Sequence, residues 1–129
     1  MTRRVVIADD EPNLVLPLEY MLKREGYEVT VARDGQEALE AIARVDPHLV
    51  LLDVMMPRKS GFDVCQMLRA DEAHRNLRIM LLTAKGRDDD VAKGRETDMA
   101  RGMGVGVDAY VTKPFSTRDL VQKVRDLLS

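Results

Sequence analysis

The chain is 129 residues long, 45% apolar and 33% charged, with acidic and basic residues nearly cancelling to a net charge of −2. That length gives one domain with a core of its own, and the even charge, with no basic block or polybasic arm, argues against direct nucleic-acid binding and against attachment to a membrane surface. No stretch approaches the ~20 apolar residues that cross a bilayer, and Met1-Thr2-Arg3-Arg4 leads straight into a strand-like run, so a cytoplasmic protein is expected.

The first apolar run, Val5-Val6-Ile7-Ala8, is too short for a helix, ends in Asp9-Asp10, and predicts a strand over 4–9. A helix follows over 12–25, with Leu14, Leu18, Met21 and Leu22 marking its apolar face and Gly26 at the left-handed C-cap position. Pro17 lies inside it, removes one backbone bond and is expected to kink it near its first turn. A second strand over 27–32 precedes a helix over 35–45, where Asp34 and Glu37 have capping-box spacing.

The run from His48 to Leu52 ends in Asp53 and predicts a strand over 48–53, buried on both faces. Met55, Met56, Pro57 and Gly61 follow, then a helix over 61–71 in which Cys65 reads as a core thiol and not a nucleophile. A fourth strand over 78–83 ends in Thr83, with Ala84 next to it small enough to leave access. The remaining elements are a helix over 88–102, a strand over 109–112 delivering Lys113-Pro114, and a helix over 116–128 with Ser116 and Asp119 at capping spacing.

Strands alternating with amphipathic helices are the pattern of repeated βαβ units. They predict an α/β fold: a doubly wound, five-stranded parallel sheet of order 2-1-3-4-5, flavodoxin-like, with helices on both faces. Ligands bind such sheets at the carboxyl ends of the strands, beside the switch point. Asp9, Asp10 and Asp53 would meet there, joined by Thr83 and Lys113.

Three carboxylates at one edge repel: at 4 Å and an effective dielectric of 20 each pair costs about 4 kcal/mol. A hard divalent cation relieves this, and magnesium takes one or two carboxylates, keeps several waters and accepts a phosphate. Asp53 is also a candidate nucleophile toward a phosphoryl group, with Thr83 as hydrogen-bond donor and Lys113 as a compact positive charge. Taken singly, an acidic pair after a strand is a turn or cap, a Lys-Pro is a loop and a strand-end Thr reflects β propensity. Their joint occurrence at four strand ends favours a site. His48 and His74 stand apart from each other and from the acidic edge, which makes them structural or solvent-facing and not zinc ligands.

In order along the chain, Asp9-Asp10, Asp53 with Met56-Pro57 and Gly61, Thr83-Ala84 and Lys113-Pro114-Phe115 closely resemble the receiver domain of two-component response regulators. The resemblance covers essentially residues 1–129. It implies that Asp53 accepts a phosphoryl group from a sensor histidine kinase or phosphotransfer protein, and that magnesium is held by Asp9, Asp10, the Asp53 side chain and the backbone carbonyl of Met55. It further implies that Thr83 and Lys113 bind the phosphoryl oxygens and that Tyr110 is the aromatic that turns inward on activation. A receiver is a switch and not an enzyme, assisting only its own phosphorylation and dephosphorylation. Its partners are the phosphodonor and a downstream protein, with phosphorylation-dependent dimerisation a further expectation.

One region departs from that pattern. Thr83 and Lys113 stand 30 residues apart, a longer interval than is usual in the family, and Ala84-Lys85-Gly86-Arg87 recurs as Ala92-Lys93-Gly94-Arg95, offset by eight. A tandem duplication within 84–99 accounts for the excess and predicts a longer fourth helix, made marginal by Gly94 and Gly102.

Two other classes of function stay open at this stage. One is a phosphorylation-independent docking module; the other is an Asp-based phosphohydrolase, disfavoured because its first strand would end in Asp-x-Asp rather than Asp9-Asp10. A P-loop is excluded, since no Gly-x-x-x-x-Gly-Lys-Ser/Thr occurs. No output domain follows the last predicted helix, so a free-standing receiver and a piece of a longer regulator are equally expected.

Overall fold

Five short strands make one parallel sheet in the order β2-β1-β3-β4-β5. They are β1 (Arg4–Ala8), β2 (Glu28–Ala32), β3 (Leu49–Asp53), β4 (Arg78–Ala84) and β5 (Ala109–Lys113). The chain's computed structural model describes residues 2–56, 60–84 and 107–129. Among these lie four helices, α1 (Pro12–Arg24), α2 (Gly35–Val45), α3 (Gly61–Arg69) and α4 (Thr117–Leu128), and a 3-10 turn, Glu72–His74.

The expected strand order is therefore present, and the boundaries of the described elements lie within one or two residues of those expected. The central β3 is buried at all five positions, as its unbroken apolar run requires when both faces are covered. Alternate residues supply two cores. Val6, Val50, Leu52, Ile79 and Leu81 pack with Ala38, Ile42, Phe62, Val64 and Leu68 of α2 and α3. Val5, Ile7, Leu49, Leu51, Met80 and Leu82 pack with Val15, Leu18, Leu22, Leu120 and Val124 of α1 and α4. The strand period of two thus assigns each face its pair of helices.

Local chemistry sets the ends of these elements. Gly26, at φ +93°, closes α1 in a Schellman arrangement, its N–H donating to Lys23 O and that of Tyr27 to Leu22 O. α1 continues through Pro17 to Arg24 without interruption. Asp34 accepts from the Glu37 N–H at 2.8 Å, while the Glu37 carboxylate reaches the Arg33 N–H. The third helix stops at Arg69, two residues short of its expected end. There the Asp71 side chain accepts from the Ala73 N–H and opens the 3-10 turn instead. The expected helix over 88–102 and the duplication within 84–99 lie outside the described residues, apart from the backbone of Ala84.

Candidate functional site

The carboxyl ends of β1, β3, β4 and β5 meet at one edge, and what stands there follows from register. Asp53 pairs with Leu82, so Thr83 lies one step beyond it on β4, and Thr83 in turn pairs with Thr112, next to Lys113. Asp9 follows the last residue of β1, its N–H donating to Ala32 O of β2 at 3.0 Å. Each residue emerges where a buried strand has just run out, which gives polar groups little exposure. Asp9 is 1% exposed, Asp53 4% and Thr83 8%.

Hydrogen bonds hold the carboxylates in place. Asp9 Oδ1 accepts from the Glu11 N–H at 3.0 Å and Asp53 Oδ1 from the Met55 N–H at 3.2 Å. Each is a two-residue turn that fixes a side chain against its own backbone. Val54 is tied to β4 through Leu82 O, and the Gly61 N–H donates to Val54 O. Met55 itself projects outward with 57% exposure.

Lys113 reaches into this group from β5. Its Nζ lies 2.8 Å from Asp9 Oδ2, 3.3 Å from Glu11 Oε1 and 3.5 Å from Asp53 Oδ1. The following Lys113–Pro114 bond is cis. Burial alone would lower the ammonium's pKa, but Asp9, Asp53 and Glu11 together outweigh it and the pKa is raised, so Lys113 is charged. Asp53 moves in the same direction for a different reason. Desolvation raises its pKa and Asp9 adds to this, against the opposing pull of Lys113 and the Met55 N–H.

One ammonium does not balance three carboxylates. Asp9, Asp10 and Asp53 each offer an oxygen within 4.8 Å of the others, and Asp10 is the exposed member. Asp9 Oδ2 is buried and has no well-formed hydrogen bond, its approach to Lys113 being an ion pair without bonding geometry. A buried, under-satisfied carboxylate oxygen in an all-oxygen donor set fits a hard divalent cation such as magnesium.

Asp9, Asp10, Asp53 and Lys113 are thus together, and Thr83 is buried at the adjoining strand end. Tyr110 pairs with Leu81 and packs, partly buried, against the core on the α2 and α3 face. Glu11 was not singled out in the sequence. It occupies the N-cap of α1, yet makes no cap bond and turns to Lys113 instead. A third acidic residue directly after Asp9-Asp10, where a helix start favours Ser, Thr, Asp or Asn, was the available signal.

The remaining reactive side chains have structural roles. His48 Nδ1 accepts from the Arg4 N–H at 3.0 Å, and burial with the nearby Arg4 and Arg3 charges lowers its pKa. His74 lies in the 3-10 turn, 3.8 Å from the Asp71 carboxylate. Burial pushes the Cys65 thiol up to about 11, which leaves it a core residue.

A family model described as "Response regulator receiver domain" matches residues 5–125. Among solved structures, the chain is similar to a putative response regulator from Chloroflexus aurantiacus J-10-fl, at 31% identity over 99% of this chain and 98% of that one, with a TM-score of 0.85. It is similar also to the receiver domain of a Francisella response regulator, at 30% identity over 98% of this chain and 96% of that one (TM-score 0.80). A third is the signal receiver domain of a signal transduction histidine kinase from Syntrophus aciditrophicus, at 28% over 98% and 90% (TM-score 0.83). No helix among the described residues is long and apolar enough to cross a membrane.

Proposed function

The chain belongs to the response regulator receiver family, and from that premise we propose that it is a magnesium-dependent switch phosphorylated on Asp53. The carrying observation is the convergence of Asp9, Asp10 and Asp53 within 4.8 Å, with Lys113 Nζ set among them. We read residues 1–129 as one receiver domain containing a duplication of about eight residues within 84–99.

The donor is a phosphohistidine of a sensor kinase or phosphotransfer protein. Its P–N bond breaks as an Asp53 carboxylate oxygen forms the new P–O bond, and the imidazole leaves with the electron pair and takes up a proton. Asp53 is held for this by the Met55 N–H on one oxygen. Asp9, Asp10, Asp53 and the Met55 carbonyl would hold magnesium, which when bound neutralises charge on the carboxylates and the transferring group. Lys113 pairs with a phosphoryl oxygen, exchanging its Asp9 and Asp53 contacts for that one, and the Thr83 hydroxyl donates to another. Tyr110 reports the change to the surface.

As a member of a family of signalling switches, the protein on this reading assists only its own phosphorylation and dephosphorylation. Its proposed setting is the cytoplasm, its output a downstream protein, with a phosphorylation-dependent dimer as one form of that output. It acts either free-standing or within a longer regulator. Incubation with acetyl phosphate, followed by intact-mass measurement with and without magnesium, tests the reading. One phosphate should appear with magnesium and none in chelator or in Asp53→Asn. An unlabelled wild-type protein would leave a docking module in its place.

A further inference from the structure

Lys113 reaches the acidic group from β5, which among the described residues is an edge strand paired with β4 alone. Only Val111 of its five residues is fully buried, with Ala109 and Tyr110 partly buried against opposite cores, so its apolar pattern specifies register more weakly than that of the central strands. The chain that joins it to β4 is long, and loop-closure entropy constrains register less as a connection lengthens. Yet register decides everything for Lys113. A slip of one residue moves a side chain by about 3.3 Å and turns it to the opposite face, and the ammonium makes contacts of 2.8, 3.3 and 3.5 Å.

Polar groups at the start of β5 provide what the apolar pattern lacks. The Asp108 N–H donates to Ile79 O at 2.9 Å, and Asp108 Oδ2 accepts from the Ile79 N–H at 2.8 Å. One residue of β4 is thereby gripped through both its backbone groups. Arg69, the last residue of α3, donates to the same Oδ2 at 2.9 Å, and its other terminal nitrogen donates to Leu77 O at 2.8 Å and His74 O at 3.2 Å. Arg69 therefore fixes Asp108 to the segment that leads into β4. The pair is about three-quarters covered, with side-chain exposures of 21% and 25%.

We propose that Arg69 and Asp108 are positioning residues for Lys113: they lock β5 to β4 at the edge of the sheet remote from the acidic group, so that the ammonium arrives between Asp9 and Asp53. The inference rests on the role of Lys113 in the proposed function. It gives the phosphorylation site a control point five residues along β5 from the chemistry. It also makes the geometry of the site independent of the length of the β4–β5 connection.

The test measures two things on Asp108→Ala, with Asp108→Asn as a second variant that keeps an acceptor for Ile79 but removes the charge. Cross-strand NMR contacts report register through the Leu81–Tyr110 pair, and acetyl phosphate labelling of Asp53 with magnesium reports the site. Asp108→Ala should lose the Leu81–Tyr110 contact while the β1–β3 pairs stay intact, and should label slower on the order of 10²-fold, the scale of a misplaced positioning group. Asp108→Asn should fall between it and wild type in both readouts, which also decides the matter if Asp108→Ala does not fold. Labelling within twofold of wild type, or slow labelling with the Leu81–Tyr110 contact retained, would overturn the lock. Failure of the wild-type protein to label is a separate result, directed at the phosphorylation reading itself.

Discussion

Gly61 stands against Asp53: a β-carbon at position 61 would lie 2.6 Å from the Asp53 carbonyl oxygen and 3.1 Å from Val54 Cα. Both contacts are backbone, so neither can swing aside. Gly61→Ala should destabilise the protein by about 1–3 kcal/mol, the usual cost of overpacking, and should slow labelling because relief requires Asp53 to move. Urea unfolding with a parallel labelling assay checks this. An alanine variant of unchanged stability would show that α3 can retreat freely from the strand end.

Asp53 also sets a pH dependence. Its pKa in the folded protein lies above the ordinary value of 3.8, so between those two values the folded state holds a proton that the unfolded chain has lost. Stability therefore falls as pH rises through that window, and the cost persists above it. Asp53→Asn removes the charge while keeping an acceptor for the Met55 N–H. In metal-free buffer the variant should be more stable than wild type at neutral pH, with the gap closing toward pH 4. Lys113, whose pKa is also raised, changes stability in the same direction with pH: its charge contributes stability that is fully present below 10.5 and is lost as pH rises above that value. Denaturation midpoints across pH test both, and an Asp53→Asn protein less stable at pH 7 would reverse the assigned balance at the site.

Magnesium should stabilise the wild-type protein by about 1.4 kcal/mol at ten times its dissociation constant, the linkage expected for one site absent from the unfolded chain. Asp10→Ala should lose that response. Because Asp10 is exposed and outside both cores, its loss should leave the metal-free midpoint nearly unchanged. An undiminished magnesium response in Asp10→Ala would remove that residue from the ligand set.

Lys113→Ala should fold and still accept label, though no faster than Asp108→Ala, and should fail to switch, since the ammonium exchanges carboxylate partners for phosphate. Tyr110 provides the readout through its NMR shifts on addition of beryllofluoride. Shifts as large in the variant as in wild type would uncouple Lys113 from the response.

The order of the sheet and the acidic edge were legible because both depend on short-range pattern. Apolar runs of four residues, followed at once by Asp9, Asp53 and Thr83, mark strand ends directly. The Ser60–Asp63 capping box, with reciprocal bonds of 3.2 and 3.3 Å, is equally local at its three-residue spacing, although an Asp at the third helical position makes a weaker signature than Glu or Gln. Other features lie beyond any local reading. Glu11 and Lys113 are 102 residues apart, and Arg69 and Asp108 are 39 apart. Those pairs exist only once the parallel sheet has set the carboxyl ends of β1 and β5 at one edge, within reach of the Lys113 side chain, and α3 near the start of β5. The need for glycine at 61 is of the same kind, because the obstructing carbonyl belongs to a neighbouring element.

The central claim is that one carboxylate among three, Asp53, carries the phosphoryl group, and site-resolved mass spectrometry addresses it most directly. An acyl phosphate formed with acetyl phosphate and magnesium can be reduced by borohydride to an alcohol, which marks the modified aspartate permanently. The mark should fall on Asp53 alone and vanish in chelator, whereas a mark on Asp9 or Asp10, or no mark on a protein that binds magnesium, would contradict the account.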